Sequence, residues 1–252
     1  MRNQIISVVN NKGGVGKTTT TINLASALAN LDLKVLVVDM DAQASLSKAL
    51  GVANRTEGTA WALSGKHPSV IARDEGYDLL PADNALIAFE QEVMSLPARE
   101  VRLKKALEQW NNLYDVTLID CPPTMGLLTY NALVASHYYI MPVECELMAL
   151  AGMVKMEEVT ELIRQYLNED LKLLGVVLTK YDRRKILNRQ ALDLVCSQFP
   201  DKVFETAIRD NVALAEAPAK QTDIFHYAPK SYGAVDYNNL AQEVALRLKT
   251  FN

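Results

Sequence analysis

The chain has 252 residues, a formal net charge of −4 at pH 7, 49% hydrophobic residues and 22% charged residues. This length suffices for one large α/β domain or two small ones, and the composition is that of an ordinary globular protein. It excludes a disulfide scaffold, a zinc site built from paired cysteines and a membrane-spanning helix, because the three cysteines are scattered and no apolar run approaches ~20 residues. With no secretory signal in view, we expect a cytoplasmic protein.

A glycine-rich loop lies between an apolar, β-branched run at residues 4–9 and an alanine- and leucine-rich run at 22–29. The order of strand, glycine loop and helix is typical of a phosphate site, since backbone N–H groups close on the oxyanion at the positive end of the helix. Lys17 is expected to reach the β- and γ-phosphates, and the Thr18 hydroxyl to bind Mg²⁺. The predicted nucleotide-binding residues of this loop are Lys12, Gly13, Gly14, Val15, Gly16, Lys17, Thr18 and Thr19.

The loop departs from the ordinary pattern G-x-x-x-x-G-K-[ST], because Asn11 stands where the first glycine belongs. Instead it reads K-G-G-x-G-K-T-T, with Lys12 as a second lysine. This pattern resembles the deviant Walker A motif of the ParA/MinD group of P-loop ATPases. The resemblance implies that Lys12 crosses a dimer interface to the partner subunit's phosphates and, with Lys17, takes part in catalysis. The alternative is a glycine turn with two solvated lysines.

Two acidic residues follow the second predicted strand, at 34–39. Carboxylates at the end of a buried parallel strand face the ligand crevice. Asp39, Asp41 and Gln43 match the D-x-D-x-Q segment of the resembled family. The resemblance makes Asp41 the catalytic residue that orients the attacking water, beside the metal. The alternative role of Asp41 is to cap the next helix.

A second acidic strand end marks the expected metal site. After a short helix at 59–63, a strand at 77–81 and helices at 84–94 and 100–110, the strand at 116–120 ends in Asp120. Apolar residues ending in aspartate match a Walker B strand, whose carboxylate binds Mg²⁺. Asp120 begins the D-C-P-P segment of the resembled family. The predicted metal-binding residues are therefore Thr18, Asp41 and Asp120.

Later strands are expected to contribute the base-binding residues. After a helix at 127–135, a strand at 138–143 precedes Glu144 and Glu146, for which a dimer interface and a solvated surface both remain open. A helix at 149–167 and a strand at 173–178 lead to Thr179-Lys180-Tyr181-Asp182. Thr179, Asp182 and the later Asn211 are predicted to contact the base. Thr-Lys-x-Asp is also a form of the guanine-specificity motif; Lys12 and the two acidic segments favour ATP, with GTP as the alternative.

The densest basic cluster follows and precedes a helix ending near residue 199. Such cations contact DNA phosphates without reading sequence, so any DNA binding by this acidic chain needs this local patch. The segment 204–218 resembles the family's I-P-R-N-V-R-L-S-E-A-P, with Arg209, Asp210 and Ala213 in place of proline and two arginines. DNA binding is therefore expected at Arg183, Arg184, Lys185, Arg189, Arg209 and Lys220, with a solvated loop as the alternative.

The last predicted helix, at 232–248, is only partly amphipathic and lacks the basic face of an interfacial anchor. A MinD-like membrane switch is therefore the less favoured alternative.

The alternation of strands and helices predicts one doubly wound, mostly parallel sheet with helices on both faces, in a single domain over residues 1–252. The resemblance to short, Soj-type ParA ATPases covers nearly the whole chain. It implies an ATP- and Mg²⁺-dependent homodimer that binds non-specific DNA, associates with the nucleoid and hydrolyses ATP to ADP and phosphate. It also implies a ParB-like or other adaptor partner and a plasmid, chromosome or other cargo.

Overall fold

The computed structural model describes residues 3–52, 57–146 and 149–250. One sheet is built from seven strands, and all of its pairings are parallel except that of β3 with β4. The strands are β1 (Gln4–Val8), β2 (Val35–Asp39), β3 (Ile71–Ala72), β4 (Asp78–Leu80), β5 (Val116–Asp120), β6 (Tyr138–Glu144) and β7 (Lys172–Thr179). Their order across the sheet is β3-β4-β2-β5-β1-β6-β7.

Helices connect the strands and cover both faces of the sheet. Short 3₁₀ turns occupy Arg99–Val101, Glu108–Trp110 and Ala217–Lys220. The α-helices are α1 (Lys17–Ala29), α2 (Ser45–Ala49), α3 (Thr59–Leu63), α4 (Ala85–Val93), α5 (Arg102–Leu107), α6 (Leu127–Ala135), α7 (Ala149–Tyr166), α8 (Ile186–Gln198), α9 (Val212–Glu216), α10 (Ile224–Tyr227) and α11 (Tyr232–Thr250).

The predicted doubly wound, mostly parallel architecture is confirmed. Strands β1, β2 and β5 are buried along their whole length, as expected for parallel strands covered on both faces. Two details differ from the prediction. The antiparallel edge strand β3 was not predicted, because two residues are too few to show a period. The predicted helix at 100–110 is α5 with a 3₁₀ turn on each side.

The strand order places the ligand crevice beside β1. The chain runs from β1 to one side of the sheet first, and then crosses back to β6 and β7 on the other side. In open α/β sheets, ligands bind outside the carboxyl ends of the strands at such a switch point. The loop between β1 and α1 lies there.

Helix α11 packs against α1 on one face of the sheet. Its apolar residues Leu240, Val244 and Leu248 are buried, whereas Val235 and Leu246 are exposed. Among the residues described, no helix combines the length and apolar character needed to cross a membrane.

Candidate functional site

The glycine loop curls around the start of α1. Gly14 and Gly16 have φ of 76° and 88°, in the left-handed region that other residues rarely adopt. Gly16 precedes the first residue of α1, whose N-terminal N–H groups have no helical acceptor. The loop therefore presents backbone donors and the positive end of a helix to an anion, as the sequence predicts.

Lys17 lies inside this loop. Its Nζ donates to the carbonyl oxygen of Lys12 at 3.0 Å, and the residue is only 8% exposed. Burial lowers the pKa of Lys17, and the negative charge of nearby Asp120 opposes that shift. A phosphate group bound in the loop would compensate the desolvation of this ammonium group.

Thr18 and Asp120, both predicted to bind a metal ion, lie in direct contact. Thr18 Oγ1 donates to Asp120 Oδ2 at 2.7 Å, and Thr21 Oγ1 contacts Oδ1 at 3.3 Å. Asp120 is fully buried, and burial together with the charge of Asp39 raises its pKa. A hydroxyl and a buried carboxylate are hard oxygen donors that fit Mg²⁺, which usually takes one or two protein groups and completes its shell with phosphates and water. Thr21 was missed because no motif marks it.

Asp39 and Asp41 have different roles. Asp39 Oδ2 accepts from the backbone N and the Oγ of Ser47, at 2.9 and 2.7 Å, and burial raises its pKa. It therefore satisfies the first turn of α2. Asp41 Oδ1 accepts from the backbone N of Gln43 at 2.9 Å, and Asp41 is 9% exposed. The alternative that Asp41 caps α2 is wrong, since Ala44 is the capping residue and makes no side-chain bond.

The side chain of Lys12 is at the surface, unlike that of Lys17. Its Nζ lies 2.5 Å from Glu146 Oε2, and its side chain is 43% exposed. The hydrogen bond to Glu146 raises the pKa of Lys12. Next to this pair, Lys180 Nζ contacts Glu144 Oε1 at 3.1 Å. Both glutamates thus hold lysines at the surface beside the loop.

A cavity of about 150 Å³ adjoins the loop at Gly16. The predicted residues Thr19, Thr179 and Asn211 line it, and Thr179 Oγ1 donates to the carbonyl oxygen of Val15 at 2.8 Å. Tyr237 of α11 also lines it, with its hydroxyl 3.2 Å from Thr20 Oγ1. Sequence reasoning missed Tyr237, because it resembles any other buried aromatic residue of a helix.

Asp182, the last residue of the Thr-Lys-x-Asp segment, does not line this cavity. Its carboxylate accepts from the backbone N and the Nε of Arg184, both at 3.0 Å, and from Nη2 at 2.9 Å. These bonds lower the pKa of Asp182 to about 2. The Asp182 carboxylate, which would have to accept hydrogen bonds from a guanine base, is therefore already bonded to Arg184.

The predicted DNA-binding cations divide into two groups. Arg184 is paired with Asp182, and Arg209 with the buried Asp236 through its Nε and Nη2. Arg183, Lys185, Arg189 and Lys220 are exposed, and within the described part of the chain they form no ion pair. A cavity of about 500 Å³ brings Arg183, Arg184 and Arg209 together with Tyr232, and Lys220 is not part of its lining.

The fold and this site define a P-loop ATPase with a deviant phosphate loop. The sequence model of the AAA domain matches residues 3–173. The sporulation initiation inhibitor protein Soj of Bacillus subtilis is 42% identical over 248 residues, which cover 96% of this chain and 98% of Soj. The chromosome partitioning protein ParA of Caulobacter vibrioides is 39% identical over 252 residues, covering 97% and 94% of the two chains. The chain belongs to the Soj/ParA family of chromosome-partitioning ATPases.

Solved structures support the same fold and cofactors. A Mycobacterium smegmatis protein described as cobyrinic acid a,c-diamide synthase, with a bound ATP analogue and magnesium, has a TM-score of 0.87 and 32% identity, and the match covers 99% of this chain and 97% of that one. MinD of Pyrococcus horikoshii with Mg-ADP has a TM-score of 0.79 and 28% identity, with 96% of both chains covered. Nucleotide and Mg²⁺ binding is thus a property of this group of ATPases.

Proposed function

We propose that this ATPase works as a nucleotide-dependent dimer that positions a cargo on DNA. The different surroundings of its two loop lysines carry the proposal. Lys17 lies inside the loop, whereas Lys12 extends to the surface and reaches Glu146. An exposed lysine of the phosphate loop, bonded to a surface carboxylate, is suited to the phosphates of a second subunit.

In the proposed reaction, water attacks the γ-phosphorus and the bond to the β–γ bridging oxygen breaks, giving ADP and phosphate. Lys17 binds the β- and γ-phosphates, and Asp41 orients the water. Lys12 of the second subunit stabilises charge on the transferring phosphoryl group, in the manner of an arginine finger. Thr18 and Asp120 would hold Mg²⁺, which neutralises phosphate charge when bound.

We propose ATP as the nucleotide. The engagement of Asp182 by Arg184, outside the cavity next to Gly16, supports ATP over GTP. The burial of Leu240, Val244 and Leu248 on α11 disfavours a MinD-like membrane role, because these side chains are not free to enter a lipid surface.

Non-specific DNA is the proposed binding partner of the dimer. The exposed cations Arg183, Lys185 and Arg189 lie together at the start of α8 and have no carboxylate partner among the described residues. Two such clusters in a dimer would give a surface broad enough to bind several phosphates at once. A ParB-like or other adaptor protein is proposed to stimulate hydrolysis, which releases the nucleoid-bound dimer and moves a plasmid, chromosome or other cargo.

The test is retention on non-specific duplex DNA with ATP, ADP or no nucleotide, over a series of salt concentrations. We expect binding with ATP alone, falling steeply with salt. The variant K12A is the control, since it should lose the dimer and with it the DNA. Binding that is equal in all nucleotide states, or absent in all of them, would contradict the proposal.

A further inference from the structure

Another concave site lies between α3 and α5, away from the phosphate loop. We call it the α3–α5 groove. It has a volume of about 420 Å³, and none of its lining residues lines the cavity at Gly16. Leu63, Val101 and Ala106 form apolar parts of its wall. Its charged or titratable lining residues are Lys66, His67, Arg102 and Lys105, and no carboxylate lines it.

The cations of the groove have no acidic counterparts. Lys66 and Lys105 are exposed, and neither forms an ion pair with a residue that the structure describes. Lys66 Nζ lies 5.0 Å from the centre of the Trp61 ring. Arg102 Nη1 donates to the carbonyl oxygen of Leu63 at 3.3 Å, but its buried Nε has no hydrogen-bond partner within the described chain. A buried donor without an acceptor is costly. The groove also gathers several positive charges, and an incoming anion lowers the electrostatic cost of that arrangement.

We propose that the α3–α5 groove binds an acidic peptide segment of a partner protein, with an aliphatic side chain on the apolar wall and carboxylates on Lys66 and Lys105. The apolar wall favours a peptide over nucleic acid. Contacts to DNA phosphates use cations but leave an apolar pocket unfilled. The groove shares no lining residue with the cavity at Gly16, so it is a separate site.

Both helices of the groove are hydrogen-bonded to chain segments that follow the acidic strands: α3 to the end of β2, and α5 to helix α6 after β5. On one side, the Thr59 hydroxyl at the start of α3 donates to the carbonyl oxygen of Asp39 at 2.8 Å. On the other side, the backbone N of Leu103 donates to Asn131 Oδ1 at 3.1 Å. Asn131 belongs to α6, which begins just after the 121–126 segment. These bonds connect the helices of the groove to the two acidic segments, so the proposal extends to a change in ATP turnover, an effect that rests on the function proposed above.

The binding test uses a fluorescein-labelled, 12-residue peptide of Glu and Leu, with fluorescence anisotropy in the absence of nucleotide. We expect salt-sensitive binding that weakens about tenfold in the double variant K66E/K105E, because two attractive contacts become repulsive. K104E is the matched control, since Lys104 is the exposed neighbour of Lys105 but does not line the groove. A peptide of Lys and Leu should not bind.

Three results would overturn the proposal: no binding of the acidic peptide, equal weakening by K104E, or displacement of the peptide by duplex DNA through Lys66 and Lys105. The coupling is tested separately by ATP turnover with saturating peptide. A changed turnover supports coupling, and an unchanged turnover overturns it. Because peptide binding is measured without nucleotide, failure of the groove is distinguishable from failure of the proposed ATPase cycle.

Discussion

Lys12 and Glu146 are 134 residues apart in the chain and form an ion pair of 2.5 Å beside the phosphate loop. Both side chains are substantially exposed, at 43% and 50%. In the proposed dimer Lys12 must leave Glu146 to reach the phosphates of the second subunit. The pair therefore competes with ATP-dependent association.

Substituting Glu146→Gln should favour the ATP dimer. The neutral amide keeps the shape of the side chain but attracts Lys12 less, so we expect dimerisation at a lower protein concentration with unchanged ATP affinity of the monomer. Light scattering in the presence of ATP measures the protein concentration at which the dimer forms. The matched control is Glu144→Gln, because Glu144 holds Lys180 instead. If E146Q required more protein than the wild type to dimerise, Glu146 would be a dimer contact and not a competitor.

Substituting Lys12→Ala should separate binding from hydrolysis. Lys17, inside the loop, remains to bind phosphate, so affinity for a fluorescent ATP analogue should stay within a few-fold of the wild type. Phosphate release should fall to background, because no second lysine reaches the transferring group. A variant with wild-type turnover would show that hydrolysis needs no cation from a second subunit.

Substituting Asp41→Ala should trap an ATP-bound dimer. The carboxylate that we assign to the attacking water is removed, while Thr18, Lys17 and Asp120 remain to bind Mg-ATP. Size-exclusion chromatography with ATP should show a persistent dimer, and phosphate release should be lost. Hydrolysis by D41A at the wild-type rate would contradict the role proposed for Asp41.

The buried Asp120 should make stability depend on pH. Burial and the charge of Asp39 raise the pKa of Asp120 to about 8, compared with ~3.9 in an unfolded chain. Stability from such a group is fully present below about pH 4 and is lost as the pH rises through about 8. We therefore expect Asp120→Asn, which is neutral at every pH, to gain stability relative to the wild type as pH increases over that window.

The measurement for Asp120 is thermal unfolding of both proteins, once with a chelator and once, without it, with Mg-ATP. In Mg-ATP at pH 8 the order of stability should be reversed, since the cation favours the ionised carboxylate of the wild type. A difference between the two proteins that stays constant with pH would contradict burial as the cause.

The basic cluster offers a test that separates binding from stability. Lys185→Ala should reduce the slope of DNA affinity against salt concentration, on logarithmic scales, by about one, because one cation fewer neutralises a phosphate. It should leave the free energy of unfolding within ~0.5 kcal/mol of the wild type, because the exposed Lys185 ammonium holds no described partner. An unchanged slope would place Lys185 outside the DNA-binding surface.

Substituting Arg209→Ala should act mainly on stability. Its guanidinium bonds to the buried Asp236 and lies 4.1 Å from the Tyr232 ring. Removing it leaves a buried carboxylate short of donors, at a cost of about 1–3 kcal/mol. Denaturant unfolding measures this destabilisation. If R209A were as stable as K185A but weaker on DNA, Arg209 would belong to the binding surface after all.

Local patterns were sufficient to predict the sheet, the phosphate loop and the strand ends that bear Asp39 and Asp120. Strand periodicity, glycine conformation and helix-start chemistry act between residues close in the chain, so they can be read without coordinates. The fold itself then brings the carboxyl ends of β2 and β5 together, with Asp39 opposite Asp120 in register. The sequence alone determined the acidic strand ends, whereas the pairing of β2 with β5 was decided by the fold.

Tertiary structure decided which polar side chains have a hydrogen-bond or ion-pair partner. Asp39 supports α2 while Asp41 does not, Asp182 is held by Arg184, and Arg209 is neutralised by Asp236. Tyr237 reaches the cavity at Gly16 from the last helix. A motif specifies the type of a residue, but its pairing with a residue far along the chain depends on how helices pack over the sheet. Charge and exposure at the site therefore follow from packing, which no local pattern contains.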